Sequence, residues 1–553
     1  MAGKKERSND FIVQAGILAV AGIVSRIIGL LYRSPLYNIV GALGMGYYNS
    51  AYNYYTIILM VSSYSIPSAM SKVIAQKLAV KEYRNAHRIF LGAIGYVLAV
   101  GGVASLALYF GAGLFVSENA VPVLRTFAPT VFIYGILGVL RGYFQAHESM
   151  VQTSVSQILE QISNAAVTIG VAYLLIKTQM GSLEMPADQA GQVRRAVYGA
   201  IGSATGTGAG VLVALLFMAG VYGLNRSIIR RRIENDRHDN VESYGAVFKR
   251  ITMVVTPFIL SSAVYNMGSA VNNSIYLKLL PAWKEVDELA LSARWGVFQT
   301  QPITISNIPT AFAMAMAAAM IPVVAQLIAS ADHEGAREKI GLSIKSTMVI
   351  SIPCAVGLCV LARPVTGLLF RNSIEEENLA TGLLMALSLS IVFYALSTLT
   401  GQILQGLGRV SIPIVNAGVA LAVQTVSAIL LLLYTDLDLY AIVIANTLYA
   451  VCLCVLNQIA VHRAVGYRQE IVKTFLIPGL ASVCMGGIAW AVYEGLLMLT
   501  ASPRISVVIA ICIAACVYFV MLLLFRGLSE EELRGFPKGY LLVKLAKKCG
   551  LMR

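Results

Sequence analysis

The chain has 553 residues, 57% of them hydrophobic and only 13% charged, with a formal net charge of +14 and a mean hydropathy of +0.73. Soluble globular chains carry roughly 25% charge, so the main solvent of this chain is lipid. A transmembrane β-barrel is excluded, because runs such as "ILAVAGIV" (17–24) and "VVIAICIAACVYFVMLLLF" (507–525) do not alternate. The positive charge calls for no nucleic acid. Basic residues stand in the breaks between apolar runs, where the positive-inside rule and anionic lipids account for them.

A crossing of the hydrocarbon needs about 20 apolar helical residues. In chain order the pattern predicts crossings at 10–32, 45–66, 89–111, 121–141, 152–176, 196–222, 251–278, 295–323, 346–370, 379–405, 412–434, 439–461, 474–499 and 504–525. Lys4, Lys5 and Arg7 precede the first run, as in a signal peptide. The run is long, contains Arg26 and leads into further spans, so a retained helix is expected. With fourteen crossings both termini share a side. The breaks on that side hold thirty Lys and Arg against eleven opposite, which places the termini in the cytoplasm. No break reaches the length of a soluble catalytic domain.

Seven cysteines (Cys354, Cys359, Cys452, Cys454, Cys484, Cys512 and Cys516) lie in apolar runs and Cys549 in the tail. They read as small lipid-compatible core residues, with neither a metal spacing nor a disulfide framework. No cofactor or metal motif is present.

Two features recur. "SIPSAMSKVIAQK" (65–77) is matched by "MIPVVAQLIAS" (320–330), and "LRGYFQAHESMVQTSVSQ" (140–157) by "LTGQILQGLGRVSIPIVN" (399–416). The pairs predict parallel repeats: an N-lobe at 1–222, a linker at 223–250, a C-lobe at 251–462, and two extra helices with a basic tail at 463–553. The fold class is therefore an all-α polytopic membrane protein of about fourteen transmembrane helices, in two pseudo-symmetric six-helix lobes plus two. The linker, with Arg230, Arg231 and Arg232, reads as a solvated positive-inside loop, or else as a docking site for an acidic partner.

Charges at bilayer depth are costly and persist beside a partner or a wet cavity. Arg26 in the first crossing offers a planar, permanent cation suited to phosphate; the bland reading is a snorkelling arginine. Arg33 and Arg294 stand near outer ends and read as interfacial anchors or as binding groups. Glu160 is expected to pair with Arg141 and fix the break after the fourth crossing. "GYYNSAYNYYT" (46–56) places Tyr48, Asn49 and Tyr52 among neighbours that form either an aromatic belt or a sugar-binding wall. Asn266, Asn273, Gln301 and Asn307 either bond between helices or line a wet cavity.

"SRIIGLLYR" (25–33), "IPSAMSKVIA" (66–75) and "RGYFQAHESMVQTSVSQILEQ" (141–161), the last spanning Arg141, Gln145 and Glu160, resemble the polysaccharide-flippase branch of the MOP superfamily. The resemblance is to the YtgP and stage V sporulation protein B type, related to the MurJ-type lipid II flippases. It implies translocation of undecaprenyl-pyrophosphate-linked cell-wall glycan precursors, lipid II foremost, to the outer leaflet of a bacterial plasma membrane by alternating access. It also implies a cationic central cavity. Arg26 matches the family's Ser-Arg-x-x-Gly through Ser25 and Gly29. The next basic position is occupied by Tyr32, with Arg33 one beyond; the eighth-span cation position is Thr304; and the acid early in the second span is absent. The expected partners are the lipid-linked substrate and anionic lipids, with the protein acting as a monomer. The rival readings are a MATE-type multidrug or cation antiporter and a membrane-embedded enzyme acting on polyprenyl sugars.

Overall fold

The computed structural model describes residues 2–64, 66–147, 149–236, 242–528, 530, 540, 543–544 and 547. Cys549 and most of the basic tail lie outside the described residues, as do 237–241 of the linker. Among the described residues the fold is all-helical and holds no strand. Eleven helical stretches are long and apolar enough to cross a membrane, the first of them Val24–Ala79. This is the multi-pass membrane architecture that the composition requires.

The helices are α1 (Ala2–Leu59), α2 (Ile66–Ala79), α3 (Tyr83–Phe110), α4 (Ala112–Phe115), α5 (Val121–Ala146), α6 (Met150–Met180), α7 (Gln189–Leu224), α8 (Arg226–Glu234), α9 (Tyr244–Ser274), α10 (Leu280–Trp283), α11 (Glu288–Thr300), α12 (Pro302–Ala329), α13 (His333–Val360), α14 (Ala362–Leu369), α15 (Ile374–Gly406), α16 (Ser411–Tyr434), α17 (Leu439–Val465), α18 (Ile477–Thr500) and α19 (Pro503–Leu524). Each expected crossing falls on one or two of them. The first two crossings share α1, which is interrupted at Gly41 (φ 77, ψ 171). The left-handed φ is one that glycine adopts without a Cβ clash. The eighth crossing is divided between α11 and α12 at Gln301.

The chain forms two compact units, Met1–Gly296 and Val297–Arg553. In the first, α5 packs against α2, α3 and α7; in the second, α15 packs against α12, α13 and α17. The turns agree atom by atom. Lys81 (φ 62) and Ala331 (φ 58) are both left-handed. Glu82 N–H donates to the Lys77 carbonyl at 3.0 Å and Asp332 N–H to that of Leu327 at 2.9 Å. After the central helices, Ser149 N–H reaches the Phe144 carbonyl at 3.1 Å and Arg409 N–H reaches that of Leu404 at 3.0 Å. The two sequence motifs also touch, since a Cβ on Gly142 would lie 2.7 Å from the Pro67 carbonyl oxygen.

The compact units divide later in the chain than the lobes read from the sequence. Val247, Ile251 and Val255 of α9 are buried in one core with Ile89, Phe90 and Tyr143. In the second unit, buried amides join neighbouring helices: Asn416 Nδ2 donates to Asn457 Oδ1 and Gln424 Nε2 to Asn446 Oδ1, both at 2.9 Å. The final pair, α18 and α19, packs on α13, where Tyr518 Oη donates to the Val349 carbonyl at 2.7 Å. The seven described cysteines are free; Cys454 is buried, whereas Cys512 and Cys516 are exposed rather than in the core.

The linker is not simply a solvated loop. Ile228, Ile229 and Ile233 of the basic helix α8 close a cavity of about 30 Å³ that is also lined by His87, Tyr143, His147 and Arg232. Asp236 accepts from the Arg84 backbone N–H at 2.8 Å. Glu242 Oε1 meets Lys77 at 2.7 Å and Arg250 at 2.8 Å, and its backbone N–H donates to Asn85 Oδ1 at 2.9 Å. The basic stretch is thus held by its own unit through two acids that follow α8, Asp236 and Glu242.

Helix approach in the first unit depends on glycine. Gly202, Gly206 and Gly210 of α7 face Ala172, Thr168 and Asn164 of α6. This is the small-residue spacing by which membrane helices pack without a hydrophobic driving force. A Cβ on Gly206 would lie 1.9 Å from Thr168 Oγ1 and 2.4 Å from its backbone nitrogen, whereas one on Gly220 of the same helix meets nothing within 4 Å. Overpacking typically costs about 1–3 kcal/mol. Gly206→Ala should therefore lower the thermal unfolding midpoint of the purified protein and Gly220→Ala should leave it unchanged, as read by scanning fluorimetry.

His147 gives a second check. Burial, assisted by the nearby Arg232 charge, holds its imidazole below the usual 6.5, although its bond to the Tyr143 carbonyl opposes this. The unfolded chain then takes the proton first, and stability falls as pH drops through 6.5. The wild-type midpoint should fall more between pH 7 and 5 than that of His147→Gln.

Candidate functional site

The break at Gly41 divides α1 into a half that carries Arg26 and Arg33 and a half that carries Tyr48, Asn49 and Tyr52. Arg26 and Arg33 are seven residues apart, two turns, and so share a face. Arg26 is exposed, as are its neighbours Ile27 and Leu31. Arg33 is half-buried and close enough for its charge to act on the hydroxyls of Tyr48 and Tyr52.

These tyrosines stand inside the bundle. Tyr48 stacks on Tyr52 with centroids 5.8 Å apart, and Tyr55 stacks on Phe127 at 4.7 Å. Tyr48 Oη lies 3.4 Å from Thr207 Oγ1. Tyr32, at the family's second basic position, accepts from Asn164 Nδ2 at 3.5 Å. Thr168 Oγ1 donates to Asn164 Oδ1 at 2.9 Å. The cluster therefore has a polar edge formed by α1, α6 and α7 and an aromatic core. Tyr48 is only 3% exposed, so its ring belongs to neither a surface belt nor an open sugar platform.

Asn273 occupies a different setting, the seam between α1 and α9. Asn273 Nδ2 donates to Ser50 Oγ at 3.1 Å, Ser269 Oγ to Asn53 Oδ1 at 3.0 Å, and Tyr54 Oη lies 2.6 Å from Ser274 Oγ. Asn49 is buried nearby and Asn266, farther along α9, is exposed. The approach of α11 to α1 depends on two glycines, because a Cβ on Gly46 would lie 1.9 Å from the Ser292 carbonyl oxygen and one on Gly296 would lie 2.0 Å from that of Ala42. Arg294 on α11 is exposed.

In the second unit Gln301 is fully buried. It forms a closed amide pair with Asn372: Gln301 Nε2 donates to Asn372 Oδ1 at 2.8 Å, and Asn372 Nδ2 to Gln301 Oε1 at 3.0 Å. Both ends of the side chain are engaged, so Gln301 fastens the α11–α12 break. Asn307 is exposed.

Arg141 and Glu160, which the sequence reading pairs, are 2.8 Å apart, with side chains 6% and 17% exposed. Arg141 Nε also donates to Ser156 Oγ at 2.9 Å. Gln145 lies one turn beyond Arg141 on α5 and is half-buried. Four features lie outside what the sequence reading singles out: the buried Arg195, the Asn164–Thr168–Thr207 edge, the glycine stripe of α7, and Lys345, which is buried within α13. Only the stripe has a legible signal, glycine at every fourth position.

Breaking a buried ion pair by removing one partner costs about 3–5 kcal/mol, far more than replacing both. Arg141→Leu and Glu160→Leu should each lower the unfolding midpoint strongly, with the double variant recovering much of the loss in a double-mutant cycle.

Comparison with known proteins follows this geometry. Residues 13–205 match the family model "Polysaccharide biosynthesis protein" and residues 302–430 match "MatE". The chain is 26% identical to the uncharacterized membrane protein YabM of Bacillus subtilis (strain 168), over 97% of this chain and 96% of that one. It is 22% identical to the lipid II flippase MurJ of the same organism, over 91% and 93%. Among solved structures, the inward closed conformation of a lipid II flippase MurJ aligns with a TM-score of 0.63 at 15% identity, covering 91% of this chain and 97% of that chain. The outward-facing conformation of a multidrug resistance MATE family transporter of the MOP superfamily aligns with a TM-score of 0.55 at 16% identity, covering 82% and 95%. At those identities the structural likeness concerns the fold. The two family matches and the full-length relatives make the chain similar to polysaccharide-biosynthesis and lipid II flippase-type membrane proteins.

Proposed function

We propose that this chain is a flippase that carries undecaprenyl-pyrophosphate-linked cell-wall glycan precursors, lipid II foremost, from the inner to the outer leaflet of a bacterial plasma membrane by alternating access. The observation that supports this most is the similarity to lipid II flippase MurJ over 91% of this chain and 93% of that one. The reading is of a transport protein, not an enzyme, with fourteen crossings: a lobe at 1–222, a linker at 223–250, a lobe at 251–462 and an added pair within 463–553. Both termini lie in the cytoplasm, and the protein works as a monomer among anionic lipids.

The chemistry fits a diphosphate with attached sugars. A guanidinium presents a fixed fork of donors that matches phosphate oxygens. Arg33, on the half-helix that leads to the break at Gly41, is half-buried, and Arg26 extends the same face. The exposed Asn266 and Arg294 of the first unit add polar groups that sugar hydroxyls or phosphates can use; Asn307, exposed in the second unit, is a separate candidate. The polyprenyl tail stays in hydrocarbon, where its transfer costs nothing.

The match of residues 302–430 to MatE favours a second reading, a multidrug or cation antiporter. Such a transporter needs a free carboxylate in its lobe, and Glu160 is held by Arg141. Drug-resistance profiling of an overexpressing strain separates the two readings.

Arg33→Ala at normal expression should abolish complementation of a flippase-depleted strain, with Arg33→Lys partly active and Arg26→Ala reduced. Full rescue by Arg33→Ala would remove Arg33 from the mechanism.

A further inference from the structure

We infer that Arg195 is a positioning residue that holds α1 broken at Gly41, and so fixes the angle between the half-helix that carries Arg33 and the half that carries Tyr48 and Tyr52. The second half of the statement rests on the proposed function; the first half stands on geometry alone.

Gly41 departs from helical geometry with φ 77 and ψ 171. A break of this kind frees carbonyls at the end of the first half-helix, and a carbonyl buried from water needs a donor within the protein. Arg195, near the start of α7, supplies one. Its Nη2 donates to the Ile39 carbonyl at 2.8 Å. The same nitrogen donates to the Leu183 carbonyl at 3.2 Å, and Nη1 lies 3.9 Å from Met185 Sδ. The side chain is only 6% exposed, so the contacts are made away from water. One guanidinium thereby fastens the end of the first half of α1, the 181–188 loop and α7 together.

Successive positions on α7 fit the same break. A Cβ on Gly41 would stand 3.7 Å from Arg195 Nη1. A Cβ on Gly44 would stand 2.9 Å from the Ala196 carbonyl oxygen, and one on Gly199 would stand 3.0 Å from Val40 Cγ1. Arg195 thus holds the carbonyl, Ala196 receives the second half-helix at its closest approach, and Gly199 makes room for the residue before the break. The charge is also of the right sign, since the C-terminal end of a half-helix carries partial negative charge. Lysine is a poor substitute, because it offers a point charge where arginine offers a rigid fork that reaches two carbonyls at once.

Arg33 lies two turns before the break, and Tyr48 and Tyr52 lie two and three turns after it. A change of angle at Gly41 therefore swings the cation relative to the tyrosine hydroxyls without disturbing either half-helix.

The test is hydrogen–deuterium exchange on the full-length protein in detergent micelles, followed by mass spectrometry. In Arg195→Gln, amides in 36–46 and 181–188 should exchange about tenfold faster than in wild type, while those of α3 and α5 keep their wild-type rates. Arg195→Lys should fall between the two, and it carries the test if the Gln variant fails to fold. In cells, complementation should follow the same order, with Arg195→Lys restoring part of what Arg195→Gln loses. Unchanged exchange in 36–46, or loosening spread evenly over the first unit, would overturn the positioning role. Normal complementation by an Arg195→Gln protein with a loosened break would overturn its link to transport. The exchange pattern is independent of which substrate is carried, so it still decides the positioning role if lipid II proves not to be the cargo.

Discussion

In hydrocarbon each backbone N–H and C=O must be satisfied inside the protein. Helices do this for themselves, and lipid offers no hydrophobic reward for pressing two of them together. What distinguishes this fold is therefore how closely its helices approach and where they are allowed to break. The glycines of α7 let α6 lie backbone to backbone at Ala172 and Thr168. Gly46 and Gly296 do the same where α11 crosses α1. Each break then needs an external donor or a closed pair. Arg195 serves the break at Gly41, and the Gln301–Asn372 amide pair serves the one between α11 and α12.

The same constraint explains where the buried charges sit. Arg141 has a carboxylate and Arg195 has carbonyls. Arg33 is less enclosed than either and borders tyrosine hydroxyls. Outside the crossings the logic changes, and the stretch 223–250 is held to the α2–α3 turn by Asp236 and Glu242 in contact with Arg84, Lys77 and Asn85.

Much of the fold was legible because periodicity and hydropathy are local. The crossings fall on helices, and the motifs at 65–77 and 320–330 mark turns with the same hydrogen bonds. The pairing of Arg141 with Glu160 was legible too, since two opposite charges flank one short break. The site was less so. Tyr48 and Ser50 are two residues apart, but a helix points them in different directions, so one joins the aromatic core and the other the α9 seam. The sequence left Gln301 open between a bond to another helix and a wet cavity, because nothing local announces Asn372, some seventy residues on. Arg195 had no legible signal, since an arginine near a helix start carries no sign that a distant glycine needs its hydrogen bonds. Partner choice across helices is a tertiary property, and single-sequence patterns do not encode it.

The account is tested most directly by measuring which leaflet holds lipid II in cells depleted of this protein, with other flippases removed. It predicts that lipid II accumulates in the inner leaflet on depletion and reaches the outer leaflet again when the wild-type chain is restored. A leaflet distribution that is the same with and without the protein would contradict it.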